Sequence, residues 1–225
     1  MFGVDVAVPV SAAQWSCLMA ANVTWASVRA WHSTGSFDEN APSNLAAAAS
    51  AGLQDVDLYL FPCRALPAEF QVSSLIASLS LTSLTNPNRA SYGTIWLDIE
   101  ANPSRTHATH QNCSWAEHTP ASNCEYVRML ADAVAARNID VGVYSSHHSW
   151  LPILGADCTA MQGLPLWYPH YDRQPGCADY ADYPFGGWTR PRWKQFTDKA
   201  GTAAIGACGV PVDTSARCSD RPSLV

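Results

Sequence analysis

Ile95-Trp96-Leu97-Asp98-Ile99-Glu100 reads as a β-strand, apolar and β-branched or aromatic except for two carboxylates at i and i+2. Side chains on a strand alternate between its faces. Trp96, Asp98 and Glu100 therefore share one face, and Leu97 and Ile99 share the other. One strand period separates the two acids, about 6.6–6.8 Å along the strand. Burying two acids side by side is costly unless they are paired or used. Neighbouring carboxylates also push each other's pKa values apart, which is how an acid and an ionised partner arise from the same residue class. An Asp-x-Glu pair taken alone also occurs on solvated faces or opposite an arginine, so the surrounding chain has to decide.

Working outward, strand-like and helix-like segments alternate. Phe2–Val6 reads as a first strand carrying Asp5 near its end. Ser11 is a plausible N-cap for a helix over 12–21. A strand over 24–30, a helix over 44–51 closed by Gly52, and a strand over 56–61 stopped by Pro62 follow. A helix over 68–80 and a loop at Asn86-Pro87-Asn88 lead to the strand over 91–100. Beyond a long polar loop come a helix over 124–137, a strand over 140–145, a turn of helix near Trp150 and a strand over 165–168. Residues 170–187, rich in Pro, Gly, Asp and Tyr, read as a loop, and 192–196 and 204–211 as two final strands. Strands alternating with helices predict a parallel sheet with helical crossovers. About eight strands in 225 residues predict an α/β fold: a single TIM-like (β/α) barrel with fewer helices than strands, spanning 1–225 as one domain. Active sites of such barrels lie at the carboxyl ends of the strands. Asp5, Asp98 and Glu100 fall there, and Asp213 follows the last predicted strand. Closure would make the first and last strands neighbours and bring Asp5 toward Asp213. Four acids at one mouth favour carbohydrate or hydrolytic chemistry.

Bulk composition narrows the partners. Hydrophobic residues at 48% against 14% charged supply a core and exclude disorder. A net charge of −6 argues against nucleic acid, which calls for a basic footprint. Protonating all seven histidines adds +7 to −6, giving about +1 in acid. The eight cysteines are dispersed without a C-x-x-C pair, which favours four disulfides in an oxidising compartment over a zinc site. Proximity along the chain points first to Cys113–Cys124 and Cys158–Cys177, among 105 possible pairings. Asn22 and Asn112 match the glycosylation sequon. No signal peptide is visible, and no run approaches the roughly 18 apolar residues of a membrane span. His107, His110 and His118 share a loop and His147-His148 another, but no spacing matches a metal-ligand pair, so no metal and no cofactor is expected.

Six stretches in register resemble the lysozymes of glycoside hydrolase family 25. They are Gly3-Val4-Asp5-Val6, Trp96-Leu97-Asp98-Ile99-Glu100, Gly142-Val143-Tyr144-Ser145, Leu166-Trp167-Tyr168-Pro169-His170-Tyr171, Trp193-Lys194-Gln195-Phe196 and Val212-Asp213. Asp57-Leu58-Tyr59 followed by Phe61-Pro62-Cys63 looks most like the eukaryotic branch found in nematodes and amoebae. The resemblance covers nearly the whole chain. It implies a flattened β/α barrel and a secreted or phagolysosomal muramidase, a monomer acting on bacterial peptidoglycan. The bond cut would be the β-1,4 link between N-acetylmuramic acid and N-acetylglucosamine. By motif matching, Glu100 would be the general acid. Asp98 would steady the substrate's N-acetyl group or the charge developing on the sugar, and Asp5 and Asp213 would support both. The chain departs from the family pattern at Ala7, where relatives often carry Ser, and at His32, where bacterial members often carry an acid.

Sugar rings stack on aromatics, so Tyr59, Tyr144, Trp167, Tyr168 and Trp193, at or near predicted strand ends, are candidate groove walls. His170, in a strand-end motif, is a further candidate substrate contact. The competing readings are a barrel that binds peptidoglycan or chitin without cutting it, and a chitinase-like glycosidase. An inactive relative would be expected to lack one of the four acids. The chitinase signature is a longer Asp-rich run ending in Glu, which 96–100 does not reproduce.

Overall fold

A computed structural model describes residues 2–83, 92–106, 112–198 and 203–218. The expected loop at Asn86-Pro87-Asn88 and two histidines, His107 and His110, lie outside these residues. The first half comprises β1 (Phe2–Val6), α1 (Ala12–Ala20), β2 (Val23–His32), β3 (Ser36–Phe37), α2 (Ala41–Ala51), β4 (Val56–Leu60), α3 (Ala68–Ser83) and β5 (Ile95–Asp98). The second comprises α4 (Pro120–Ala135), β6 (Val141–Tyr144), α5 (His147–Leu154), β7 (Leu166–Pro169), β8 (Trp193–Thr197), α6 (Ala203–Gly206) and β9 (Asp213–Arg217).

Local chemistry starts and stops these helices where the sequence indicates. Ser11 and Gln14 form a reciprocal capping box at α1. Thr119 and Ser146 cap α4 and α5 by accepting from Ser122 N and Ser149 N. Gly52, at φ 95°, ends α2 in the left-handed region.

Strands β1, β2, β4, β5, β6, β7 and β8 run parallel, each paired with the next. β9 closes the barrel by pairing antiparallel with both β8 and β1. Among the described residues the result is an eight-stranded barrel with six α-helices, β3 being a short ribbon on the edge of β2. This is the α/β barrel predicted from the alternation, with one correction at its end. The predicted strand over 204–211 is not formed: α6 occupies part of it, and the last strand is Asp213–Arg217. Ala-Ala-Ile-Gly favours a helical turn, whereas Asp-Thr-Ser-Ala-Arg lacks the apolar character by which strands are read. Its small polar side chains are buried all the same, with Thr214 and Ser215 fully enclosed. Ser215 Oγ accepts from Trp167 Nε1 at 2.9 Å.

Two cores result. Aliphatic side chains fill the layer between sheet and helices. The barrel interior holds Trp25, Trp96, Tyr144, Trp167 and Trp193, with Tyr59 packed against them. Trp25 stacks on Trp193 at 4.4 Å and meets Trp167 edge-on at 5.2 Å. Such pairs contribute about 0.5–1.5 kcal/mol each beyond their buried area. The rings explain two motif glycines. A Cβ on Gly3 would lie 2.1 Å from Trp25, and one on Gly142 would lie 2.5 Å from Trp96. Trp193 is therefore interior packing beneath the mouth, buried among the other indoles.

All eight cysteines pair, but not as chain proximity indicated. The bridges are Cys17–Cys208, Cys63–Cys113, Cys124–Cys158 and Cys177–Cys218. Cys113–Cys124 and Cys158–Cys177 are both absent. α4 starts at Pro120 and packs beside α5, which carries Cys124 toward Cys158 and away from Cys113. Cys17–Cys208 joins α1 to the segment after α6 across 191 residues. Of the two sequon asparagines, Asn22 is exposed in a left-handed turn. The Asn112 side chain bonds Glu117 and Ser114 N.

Candidate active site

The mouth at the carboxyl ends of the parallel strands opens into a cavity of about 140 Å3. Its walls are Asp5 on β1, Tyr59 on β4, Asp98 and Glu100 at the end of β5, Tyr144 on β6 and Trp167 on β7. Tyr171, Gln195 on β8 and Asp213 at the start of β9 complete it. Asp5 and Asp213 are direct register partners across the β1–β9 ladder. Because β9 runs antiparallel, its first residue, not its last, reaches this end of the barrel. β5 stops at Asp98, so Glu100 sits just beyond the strand, partly exposed at the rim.

The four acids have no basic side chain among the residues lining the cavity. Burial pushes the Asp98 carboxyl well above the usual range, and Glu100 and Asp5 reinforce the shift. Asp5 is likewise raised well above its ordinary value, by burial and by Asp213, against a lowering from Gln195. Glu100 is raised by burial and then by Asp213. The expectation of a protonated Glu100 beside an ionised Asp98 is thus modified. Asp98 lies deeper, 7% exposed, and burial favours its neutral form too. Its Oδ1 has no hydrogen-bond partner among the described residues.

Gln195 organises the opposite wall. Its Oε1 accepts from Tyr144 Oη at 2.7 Å and from Tyr171 Oη at 2.9 Å. Two donors to one oxygen fix which way the amide points. Its Nε2 then donates to Asp5 Oδ1 at 2.8 Å and to Asp213 Oδ2 at 3.3 Å. Neither Gln195 nor Tyr171 stands out in the sequence as a site residue. The available signal is parity, since Gln195, two residues after interior-facing Trp193, shares its face of β8. Tyr171 lies beyond β7, where strand parity gives no guidance.

Among the predicted walls, Tyr59, Tyr144 and Trp167 line the cavity. Tyr168 and His170 do not. Alternation turns Tyr168 away from Trp167, and its Oη donates to Asp179 at 2.8 Å. His170 Nδ1 meets the other Asp179 oxygen at 2.5 Å. Lys194, fully buried, completes this cluster, with Nζ at 2.7 Å from Asp172 and 3.0 Å from Asp179. Together these contacts fasten the loop that carries Tyr171. His170, Asp172 and Asp179 are also the described residues whose ligand atoms come close enough for a metal. Lys194 already supplies the positive charge there. His32 ends β2, and the nearby acid is Asp38, 3.6 Å away and held by Arg29 at 2.7 Å.

Below the mouth, Asp57 is buried beneath the indoles. Its Oδ2 accepts from Trp25 Nε1 at 2.8 Å and Trp96 Nε1 at 2.7 Å, and its Oδ1 accepts from Thr94 N at 2.7 Å. Burial raises its pKa against these three donors.

These shifts set a stability profile. A carboxyl whose folded pKa is raised holds its proton more tightly in the native state. Its contribution is complete below the unfolded value of about 4 and is lost as pH rises through the folded value. Asp5, Asp57, Asp98 and Glu100 all have that sign. The melting temperature is therefore expected to fall as pH rises above the unfolded carboxyl value of about 4, and Asp98→Asn to flatten the fall. Calorimetry at a series of pH values from about 4 upward checks it, and a melting temperature that climbs instead contradicts it.

Comparison with known proteins agrees with this geometry. The family model described as "Lysozyme-like protein 1" matches residues 1–196. "Lysozyme-like protein 5" of Caenorhabditis elegans is 34% identical over 213 residues, covering 94% of this chain and 88% of that one. "Probable GH family 25 lysozyme 2" of Dictyostelium discoideum is 32% identical over 209 residues, covering 91% and 87%. Among solved structures, a family GH25 lysozyme from Aspergillus fumigatus superposes with a TM-score of 0.71 at 14% identity, covering 99% of this chain and 94% of that one. The barrel, the acids at its mouth and these relatives converge on one assignment: the chain belongs to the glycoside hydrolase family 25 lysozymes, in their eukaryotic branch.

Proposed function

We propose that this chain is a muramidase that cuts the β-1,4 bond between N-acetylmuramic acid and N-acetylglucosamine in bacterial peptidoglycan. The observation that carries the proposal is the convergence of Asp5, Asp98, Glu100 and Asp213 around one aromatic-walled cavity with no cation among its lining residues. A cavity lined by carboxyl groups with no cation beside them favours a glycosidic cleavage that develops positive charge at the sugar ring. Residues 1–225 act as one catalytic domain, because β9 must close on β1 to bring Asp213 beside Asp5.

Glu100 is the general acid. It sits at the rim, and burial together with Asp213 keeps a proton on it above the ordinary carboxyl range. Asp98 lies deeper, and its unpartnered Oδ1 is an acceptor awaiting a donor. The N–H of a 2-acetamido group supplies one, which orients that group to assist from within the substrate. As positive charge develops at the ring, the carboxyl oxygens of Asp98 and Asp5 stabilise it. Gln195 holds Asp5 and Asp213 in place, and Tyr59, Tyr144 and Trp167 offer surfaces to the sugar. The four disulfides fit work in an oxidising compartment, outside the cell or in a phagolysosome. No described helix is long and apolar enough to cross a membrane.

The test is digestion of purified peptidoglycan with analysis of the new reducing ends. Muramic acid ends are expected, and glucosamine ends would replace this assignment with a glucosaminidase. Clearing of bacterial suspensions from about pH 4 to about pH 8 is expected to peak in acid, because Glu100 has to carry its proton. An optimum above about pH 7.5 contradicts that role.

A further inference from the structure

Asn22-Val23-Thr24 and Asn112-Cys113-Ser114 both have the pattern that accepts an N-linked oligosaccharide. The fold treats them differently. Asn22 follows the C-cap of α1 and adopts φ 68°, in the left-handed region that Asn tolerates. Its main chain is fully used. Asn22 N donates to Met19 O at 3.0 Å, and Asn22 O accepts from Phe2 N at 3.1 Å. The backbone therefore holds this turn, and the Asn22 side chain makes no hydrogen bond among the described residues. Asn22 and Thr24 are both exposed, flanking buried Val23. A sugar on Asn22 Nδ2 breaks no contact and projects into solvent.

Asn112 is the opposite case. Its side chain is half-buried, with Nδ2 donating to Glu117 Oε1 at 2.9 Å and Oδ1 accepting from Ser114 N at 3.0 Å. Cys113 is fully buried and bridged to Cys63. Ser114 Oγ accepts from Ala116 N at 3.2 Å and caps the short turn Trp115–Glu117. All three residues of this second stretch are committed to structure, and a sugar on Asn112 Nδ2 would crowd its contact with Glu117. The four disulfides fit folding in an oxidising secretory compartment, which is also where eukaryotic cells attach N-linked sugars.

We propose that Asn22 carries an N-linked oligosaccharide and that Asn112 stays bare. Asn22 Nδ2 attacks the anomeric carbon of an oligosaccharide carried on a lipid pyrophosphate. The bond from that carbon to the pyrophosphate oxygen breaks as the N–C bond forms. The lipid pyrophosphate leaves with the electron pair, and Nδ2 gives up one proton. The cell's transferase supplies this donor, and no oxidant or reductant takes part. Five residues separate Asn22 from Ser27, the register partner of Asp5, about 16 Å along β2. Asn22 precedes the amino end of β2, whereas the mouth opens at the carboxyl ends of the parallel strands. The sugar thus covers the turn between α1 and β2 and leaves the four acids open to a glycan.

The test secretes the full chain from a eukaryotic cell and maps it by mass spectrometry before and after enzymatic release of N-linked sugars, which converts a glycosylated Asn to Asp. Conversion is expected at Asn22 and not at Asn112. Thr24→Ala is expected to remove the sugar, and Thr24→Ser, which keeps the hydroxyl, to retain it. A secreted wild type without sugar overturns the proposal. Conversion at Asn112, or a sugar that survives Thr24→Ala, also overturns it. Soluble peptidoglycan fragments are expected to be cut at equal rates by the glycosylated protein and by Thr24→Ala. A faster Thr24→Ala variant would overturn the placing of the sugar clear of the mouth. Failure of the muramidase reading looks different: neither protein would cut the fragments, while the mapping would still decide which Asn carries the sugar.

Discussion

Glu100→Gln is expected to lower wall hydrolysis by about a thousandfold, the scale set by removing a positioned general acid. Gln keeps the shape and hydrogen-bonding reach of the side chain but cannot give a proton to the leaving oxygen. The loss should therefore appear in turnover and leave binding of a soluble glycan nearly unchanged. Stability should not fall. Glu100 is raised by burial and by Asp213, so its ionised form costs the fold free energy at neutral pH, and a neutral amide avoids that cost. The substitution is thus expected to hold or raise the melting temperature at about pH 7 while abolishing activity, a pairing that damage to the fold would not produce. Clearing of bacterial suspensions by the variant at the wild-type rate would remove Glu100 from the mechanism.

Asp57→Leu is expected to destabilise the fold by about 3 kcal/mol or more, the largest single-site effect anticipated away from the mouth. Asp57 receives three hydrogen bonds, from Trp25, Trp96 and Thr94 N. Leucine would leave two indole N–H groups and one backbone N–H without an acceptor inside the barrel. Each buried donor left unpaired costs about 1–3 kcal/mol. Asp57→Asn keeps one acceptor oxygen and is expected to lose less than half as much. Urea unfolding distinguishes the two, and equal midpoints for Asp57→Leu and wild type would show that the indoles find other partners. Activity of the folded Leu variant should also fall, because Trp96 belongs to the strand that delivers Asp98.

Much of the barrel mouth is legible in the sequence. The stretch Ile95–Glu100 reads with its two acids on one face, and alternation of strands and helices implies a barrel whose strand ends meet. Both inferences use local periodicity, which side-chain pattern expresses directly. The direction of β9 is different in kind. Asp213–Arg217 is polar and would not be read as a strand, and it becomes one because β1 and β8 offer unpaired edges that closure has to fill.

Taken alone, the sequence determined the α/β barrel, the placing of Asp5, Asp98 and Glu100 at one end, and the even set of cysteines consistent with oxidation. Those features follow from strand parity, helix caps and composition, each set by neighbours a few residues away. Tertiary structure alone decided the cysteine partners, since α4 and α5 had to pack before Cys124 met Cys158. It alone turned Tyr168 and His170 toward Asp179 and brought Gln195 onto two acids from β1 and β9. It also raised Asp98 together with Glu100, because depth of burial, and not the order of residues along a strand, sets the cost of a charge.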